Sequence, residues 1–186
     1  MALRIIAGTH GGRRIEAPPG RGTRPTGERV REAWFAAMGV SLAGAAVLDL
    51  FAGSGALGIE ALSRGAERAH FVEADGRAAA VLRRNLRALD LETRAVVIRS
   101  DVFRWLDRAD AGREWDVALA DPPYGSPVAA RLARCFLEAP FATSLWIEHA
   151  WSASDLPAGA DWSRRYGDTG LRRYPAPVPE PRPEGA

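Results

Sequence analysis

Lysine is absent from this sequence, and cysteine is nearly so. Every fixed positive side-chain charge among the 25 basic residues is therefore a guanidinium, a group whose planar fork suits phosphate oxygens and base faces. The single cysteine, Cys135, excludes an intramolecular disulfide and a cysteine-only zinc cluster. The three histidines, His10, His70 and His149, lack metal-ligand spacing, so no metal site is predicted.

Long apolar runs are also missing. No stretch approaches the roughly 18 residues that a membrane-spanning helix needs. The apolar part of residues 1–10 is too short for a secretory signal and is soon followed by Arg13 and Arg14. The 186 residues, 47% hydrophobic and 26% charged, suit one globular domain. We therefore predict a cytoplasmic protein that binds no membrane, and nothing in the sequence indicates more than a monomer.

The net charge is only +2, but basic residues are concentrated near the N-terminus. Seven arginines and three glutamates fall between Met1 and Phe35. A local excess of positive charge favours contact with a polyanion. We predict nucleic-acid contacts in this segment, assigned to Arg13, Arg14, Arg24, Arg29 and Arg31.

Helix and strand patterns alternate along most of the chain. An extended arm over residues 1–25 precedes a helix that starts at Thr26 and buries Val30, Trp34 and Met38. Residues 46–148 then alternate apolar strands with helices, and residues 165–174 read as a hairpin. This order predicts an α/β fold with an open, doubly wound sheet. The tryptophans at positions 105, 115, 146, 151 and 162 are interpreted mostly as packing residues.

A glycine loop connects the first strand of this pattern to its helix. Gly53-x-Gly55-x-x-Gly58 matches the dinucleotide fingerprint, and Glu73 ends the next strand twenty residues after Gly53. Asp49 argues against a dinucleotide, because its carboxylate would lie near an anionic pyrophosphate. S-adenosylmethionine instead offers an ammonium and a sulfonium, which a carboxylate attracts. Glu73 is then predicted to accept hydrogen bonds from the ribose hydroxyls.

Asp101 ends the following strand, at the same predicted edge of the sheet. Its side chain is placed to accept from the adenine amino group or to cap the next helix, and the two roles are compatible. The predicted donor-binding residues are Asp49, Ala52, Gly53, Ser54, Gly55, Glu73, Ala74, Asp101 and Val102.

A second motif, Asp121-Pro122-Pro123-Tyr124, directly follows an apolar strand. The two prolines stiffen the backbone and remove two donors. The Asp121 carboxylate and the Pro122 carbonyl can then orient the hydrogens of an exocyclic amino group, a poor nucleophile because its lone pair is delocalised. Tyr124 offers a flat face on which the base can stack. We predict that Asp121, Pro122, Pro123 and Tyr124 form the catalytic site.

With these motifs the sequence resembles the seven-stranded class I methyltransferases and, within their amino-methylating group, the RsmD family. Further matching segments are Arg4–Gly8, Gly12–Ile15, Arg24–Glu32, Asp49–Gly55 and Tyr166–Thr169. The resemblance covers roughly residues 3 to 174. It implies a mostly parallel seven-stranded Rossmann-like sheet with a C-terminal antiparallel hairpin and a short basic N-terminal arm.

The resemblance also implies a function. RsmD enzymes methylate N2 of one guanine in small-subunit (16S) ribosomal RNA, so the expected cofactor is S-adenosyl-L-methionine, with S-adenosyl-L-homocysteine as product. The expected partner is that RNA, naked or within an assembling 30S particle, facing Arg24–Arg31. The expected organisation is an arm and helix over residues 1–39, a methyltransferase domain over 40–174 and a disordered tail over 175–186.

Three other functions remain open at this point. The enzyme could methylate adenine or cytosine in DNA, although such enzymes need extra sequence to flip a base from a duplex. It could methylate a protein glutamine, although those enzymes typically carry Asn where Asp121 stands. A dinucleotide-dependent oxidoreductase is a remote alternative. A non-catalytic RNA-binding module is disfavoured because both motifs are intact.

Overall fold

A computed structural model describes residues 2–18, 28–39, 42–108, 115–124, 127–153 and 155–177. Most elements follow the predicted alternation. The strands are β1 (Ala2–Arg4), β2 (Arg14–Glu16), β3 (Ala46–Leu50), β4 (Arg68–Glu73), β5 (Ala95–Arg99), β6 (Trp115–Ala120), β7 (Ala142–Ala150), β8 (Trp162–Tyr166) and β9 (Thr169–Pro175). The helices are α1 (Glu28–Met38), α2 (Ala56–Ser63), α3 (Gly76–Ala88), α4 (Val102–Leu106) and α5 (Val128–Glu138), with a 3-10 turn at Glu92–Arg94.

The main sheet has seven strands in the order β5-β4-β3-β6-β7-β9-β8. The first five strands in this order are parallel, whereas β7 pairs antiparallel with β9 and β9 antiparallel with β8. This confirms the predicted mostly parallel sheet with its C-terminal hairpin. Because the parallel strands share a direction, the residues that follow β3, β4, β5, β6 and β7 meet at one edge.

Helices cover both faces of this sheet, which explains the continuous apolar strands. Neighbouring residues of β3 face opposite sides: Val47 belongs to a core that includes Leu57 and Leu82 from α2 and α3. Leu48 belongs to a second core with residues of α4 and α5. Every residue of β3, including Asp49, is buried. The polar Asp49 side chain is therefore held inside the sheet layer at its carboxyl edge.

The N-terminal segment is docked on α2 by buried polar side chains. The amides of Ile6 and Ala7 donate to the two carboxylate oxygens of Glu60, at 2.7 and 3.0 Å. Glu60 is fully buried and also forms an ion pair with Arg64 at 2.7 Å. The Ser63 hydroxyl donates to the Ala7 carbonyl at 2.5 Å. Ile5 and Ile15 join the core on the α2 side of the sheet, so this segment is packed onto the sheet layer.

Two parts of the predicted organisation differ from the structure. The arm was expected to hold one strand followed by turns, but β1 pairs antiparallel with β2 in a small separate sheet. Residues 175–177, assigned to the disordered tail, include the end of β9 at Pro175, while the rest of that tail lies outside the described residues. Thr26, the predicted helix cap, lies outside them too. Within the described ranges, no helix is long and apolar enough to cross a membrane.

Candidate active site

The glycine loop after β3 has a constrained backbone. Phe51 adopts a positive φ of 61°, a conformation that costs a non-glycine residue about 1–3 kcal/mol. Gly55 caps α2 with a φ of 82°, and a Cβ at this position would lie 2.2 Å from Leu82 Cδ1. Only glycine satisfies both requirements. The loop is thus fixed by the strand before it and the helix core behind it.

Glu73 connects this loop to the end of β4. One carboxylate oxygen accepts from the Gly53 amide and the other from the Asp75 amide, both at 2.7 Å. Each carboxylate oxygen has two lone-pair sites, so both retain capacity for a ribose hydroxyl. Glu73, which is predicted to bind the ribose, therefore also has a structural role: it holds the glycine loop against the next strand.

Asp49 lies beneath the loop in an environment that disfavours its charge. The side chain is 1% exposed, and Oδ2 accepts from the Gly58 amide at 2.8 Å. Burial raises the pKa of the Asp49 carboxyl from 3.8 to about 8, against the lowering effect of the Gly58 hydrogen bond. The negative charges of Asp121 and Glu73 are smaller contributions to the same increase. A bound cation would be attracted to the carboxylates of Glu73 and Asp121 and would favour the ionised form of Asp49, which fits a positively charged methyl donor better than a pyrophosphate.

Asn85 of α3 supports the loop from below, and nothing in the sequence singles it out. Its side-chain amide donates to the Ser54 and Glu16 carbonyls, each at 3.0 Å, and its Oδ1 accepts from the Glu16 amide at 2.8 Å. Asn85 therefore ties β2 to the loop. A lone asparagine on a helix gives no sequence signal for such a contact, because both partners are distant along the chain.

Asp101 caps the helix that follows β5. Its Oδ1 accepts from the Arg104 amide at 3.0 Å, so the helix-cap role is present, and its role toward adenine stays a prediction. Ala52 is buried and Ala74 is exposed. Val102 begins α4 and its side chain lies in the core, so donor contact there would involve its backbone.

The Asp121–Tyr124 motif follows β6 at the same edge of the sheet. Asp121 is half-buried, Pro122 is buried and Pro123 is exposed. The Tyr124 side chain is 53% exposed, while its hydroxyl lies 2.5 Å from Thr169 Oγ1 and donates to the Asp168 carbonyl at 3.2 Å. Burial of the hydroxyl raises the pKa of Tyr124. The β8–β9 turn therefore fixes the ring and leaves much of its surface open.

A cavity of about 300 Å³ adjoins this motif, at the small end of the range for ligand sites. It is lined by Pro122, Pro123 and Tyr124, by Pro127 and Ala129, and by residues that end or follow β7. Among the latter is His149, whose Nδ1 lies 2.8 Å from the Ala150 carbonyl oxygen. Burial lowers the pKa of His149, so the ring is neutral at physiological pH, with Nδ1 as donor. Glu148 lines the cavity as well. Neither Glu148 nor His149 was predicted as a site residue.

The predicted RNA-binding arginines have different environments. Arg13 and Arg14 are exposed beside or within β2, and an Arg13 guanidinium nitrogen donates to the Ala88 carbonyl. Arg31 contradicts its prediction: it is 1% exposed and donates to the Arg4 carbonyl at 2.7 Å. Its helical position faces the core and not solvent, so it holds the arm. Arg24 lies outside the described residues, as does the side chain of Arg29.

Comparisons with known proteins agree with this geometry. The family described as "Conserved hypothetical protein 95" matches residues 3–136. YlbH of Bacillus subtilis is 45% identical over 124 residues, 66% of this chain and 67% of its own length. Ribosomal RNA small subunit methyltransferase D of Haemophilus influenzae is 36% identical over 150 residues, 80% of this chain and 72% of its own length.

Solved structures extend the similarity to nearly the whole chain. A hypothetical protein of Thermus thermophilus, TTHA0928, has a TM-score of 0.80 at 30% identity, covering 94% of this chain and 99% of its own. An RNA methyltransferase of Salinibacter ruber, solved with S-adenosyl-L-homocysteine, shares the fold alone, with a TM-score of 0.66 at 18% identity. It covers 84% of this chain and 97% of its own. This chain belongs to the conserved hypothetical protein 95 family, the RsmD family of methyltransferases.

Proposed function

We propose that this enzyme transfers a methyl group from S-adenosyl-L-methionine to the exocyclic N2 amino group of a guanine in small-subunit ribosomal RNA. The observation that carries the proposal is the grouping of three carboxylates at the sheet edge, where the negative charges of Glu73 and Asp121 both act on the buried Asp49. Such a grouping favours a cationic donor beside an amino acceptor. Family membership decides against the oxidoreductase alternative.

The residues around the donor have distinct roles. When bound, the sulfonium supplies an electrophilic methyl group. Glu73 accepts hydrogen bonds from the ribose hydroxyls while it holds the Gly53 amide. The Asp49 carboxylate lies beneath the loop and balances the positive charge of the donor. The glycine loop lets the backbone approach closely. Ala52, Ser54, Gly55, Ala74, Asp101 and Val102 complete the proposed donor pocket.

The acceptor base lies against the second motif. Tyr124 stacks on the base, and the carboxylate of Asp121 and the carbonyl of Pro122 accept its amino hydrogens. This holds the nitrogen in line with the methyl group and the sulfur, so positioning supplies much of the rate. Asp121 also stabilises the positive charge that develops on the nitrogen. Uptake of the released proton by Asp121 is a secondary role.

The substrate assignment is the finer part of the proposal. Curated relatives carry the name ribosomal RNA small subunit methyltransferase D, and exposed arginines near β2 suit phosphate contacts. Arg13 and Arg14 are therefore proposed to contact RNA, as are Arg24 and Arg29. We also propose that the enzyme acts as a cytoplasmic monomer, on RNA that is naked or within an assembling 30S particle.

The test is transfer of labelled methyl from S-adenosylmethionine to four acceptors: naked small-subunit RNA, assembled small subunits, DNA and protein. Label in RNA is expected with wild type. Asp121→Ala should reduce transfer by about 10²–10³-fold while donor binding by calorimetry persists. Asp107→Ala, at an exposed position, is the matched control. Label confined to DNA or protein would reject the RNA substrate, and an active Asp121→Ala variant would reject the mechanism.

A further inference from the structure

The structure places a second exposed aromatic side chain beside the Asp121–Tyr124 motif. Among the described residues, the exposed large hydrophobic side chains are Val96, Tyr124 and Trp151. Trp151 directly follows β7 and is 40% exposed, although as a tryptophan it was interpreted as a packing residue. Its neighbours Ala150 and Ser152 line the cavity. Single exposed apolar residues need no explanation, but two aromatic residues held by one turn beside a cavity do.

Both aromatic residues are held by the same turn. The Asp168 carbonyl accepts from the Trp151 amide at 2.8 Å and from the Tyr124 hydroxyl at 3.2 Å. The Trp151 ring also stacks on His149, with centroids 6.4 Å apart and planes at 24°. Trp151 is thus positioned by the hairpin and by a buried neighbour, so its exposure does not reflect a lack of contacts.

One arginine of the edge strand β8 lies beside this tryptophan. The Arg165 guanidinium carbon lies 5.5 Å from the Trp151 ring centroid, and its Nε donates to the Gly167 carbonyl at 2.7 Å. Arg164, its neighbour on β8, faces the opposite side of the strand, near the ring of Tyr166. Exposed aromatic rings with adjacent guanidinium groups are the combination by which proteins bind unpaired nucleotides, through base stacking and phosphate contacts.

We propose that Trp151, with Arg165, forms a second RNA-binding surface that holds an unpaired nucleotide next to the target base. This surface is separate from the N-terminal arm, and the proposal rests on the proposed RNA substrate. The target base occupies the Tyr124 side of the cavity mouth. The neighbouring base stacks on Trp151, and its phosphate contacts Arg165. The RNA must therefore be single-stranded at both positions.

The test compares steady-state kinetics on small-subunit RNA for wild type, Trp151→Ala, Trp151→Phe and the matched control Val96→Ala on β5. Loss of the ring should raise KM for RNA about tenfold or more, a fold-change typical of one lost base stack, with donor affinity and melting temperature unchanged. Trp151→Phe should recover most of the loss, because it keeps an aromatic face. Val96→Ala should match wild type.

Salt dependence supplies an independent readout. Arg165→Gln should lower the slope of log affinity against log salt by about one for RNA binding. A Trp151→Ala variant with the KM of wild type, or an unchanged slope in Arg165→Gln, would overturn this surface even if wild type methylates RNA. If wild type leaves RNA unlabelled, the proposed function itself fails, which is a different result.

Discussion

Replacing Asp49 by asparagine should stabilise the ligand-free protein while weakening donor binding. Burial raises the pKa of the Asp49 carboxyl from 3.8 to about 8, so folding at neutral pH requires this group to take up a proton. The stability that the protonated carboxyl contributes is complete below pH 3.8 and is lost as pH rises to about 8. At pH 7 this proton uptake lowers the free energy of unfolding by about 4 kcal/mol, from roughly 1.4 kcal/mol for each pH unit above 3.8.

Asparagine removes this cost, because it has no charge to suppress, and its carbonyl can still accept from the Gly58 amide. The variant should therefore melt about 10 °C above wild type near pH 8, at a few degrees per kcal/mol for this chain length. The difference should disappear near pH 4. Thermal melts across this pH range measure it, with Asp107→Asn, at an exposed position, as control.

Donor binding should show the opposite effect. A cation favours ionised Asp49, so binding below pH 8 should release up to one proton and tighten as pH rises. Calorimetry in two buffers of different ionisation enthalpy counts that proton. Asp49→Asn should bind more weakly and release none through this group. Equal melting temperatures at pH 8, together with donor binding that releases no proton in wild type, would refute the electrostatic role of Asp49.

Substitutions at three other positions test the residues that support the site. Gly55→Ala should cost about 2–4 kcal/mol in urea unfolding, because its Cβ would collide with Leu82; Gly12→Ala, with the same φ of 82° but open space around the Cβ, should cost about 1 kcal/mol. Glu60→Ala should cost about 3 kcal/mol and speed amide exchange in residues 5–10; unchanged exchange would contradict the docking role. Tyr124→Phe should keep RNA affinity and lower kcat less than about tenfold, whereas Tyr124→Ala should lose both; equal kinetics in the two variants would exclude base stacking.

Much of the fold could be predicted because its signals are local. Apolar strands and amphipathic helices alternate from β3 to β7, as the pattern over residues 46–148 predicts. The donor loop was predictable for the same reason: residues 49–58 combine a strand end, glycines and a helix start. Since parallel strands end at one edge, Glu73 and Asp121 could be placed near that loop from their positions alone.

The remainder depends on contacts between distant segments. Strand β2 carries no distinctive pattern, and Asn85 gives no sign that it would hold the loop. Arg31 lies in a basic stretch, but its position on α1 directs the side chain into the core. Charge density along the sequence therefore does not predict whether this arginine is exposed. Trp151 looks like a packing residue by type. Its place directly after β7, at the same edge as Tyr124, was the one available signal for its exposure.

The most direct measurement uses small-subunit RNA from cells that lack the gene for this protein. The RNA is treated with purified enzyme and S-adenosylmethionine, digested and analysed by mass spectrometry, with Asp121→Ala as control. Our account predicts N2-methylguanosine at one position, present only after treatment with active enzyme. Methylation of adenine or cytosine instead, or RNA unchanged by an enzyme that binds the donor, would contradict it.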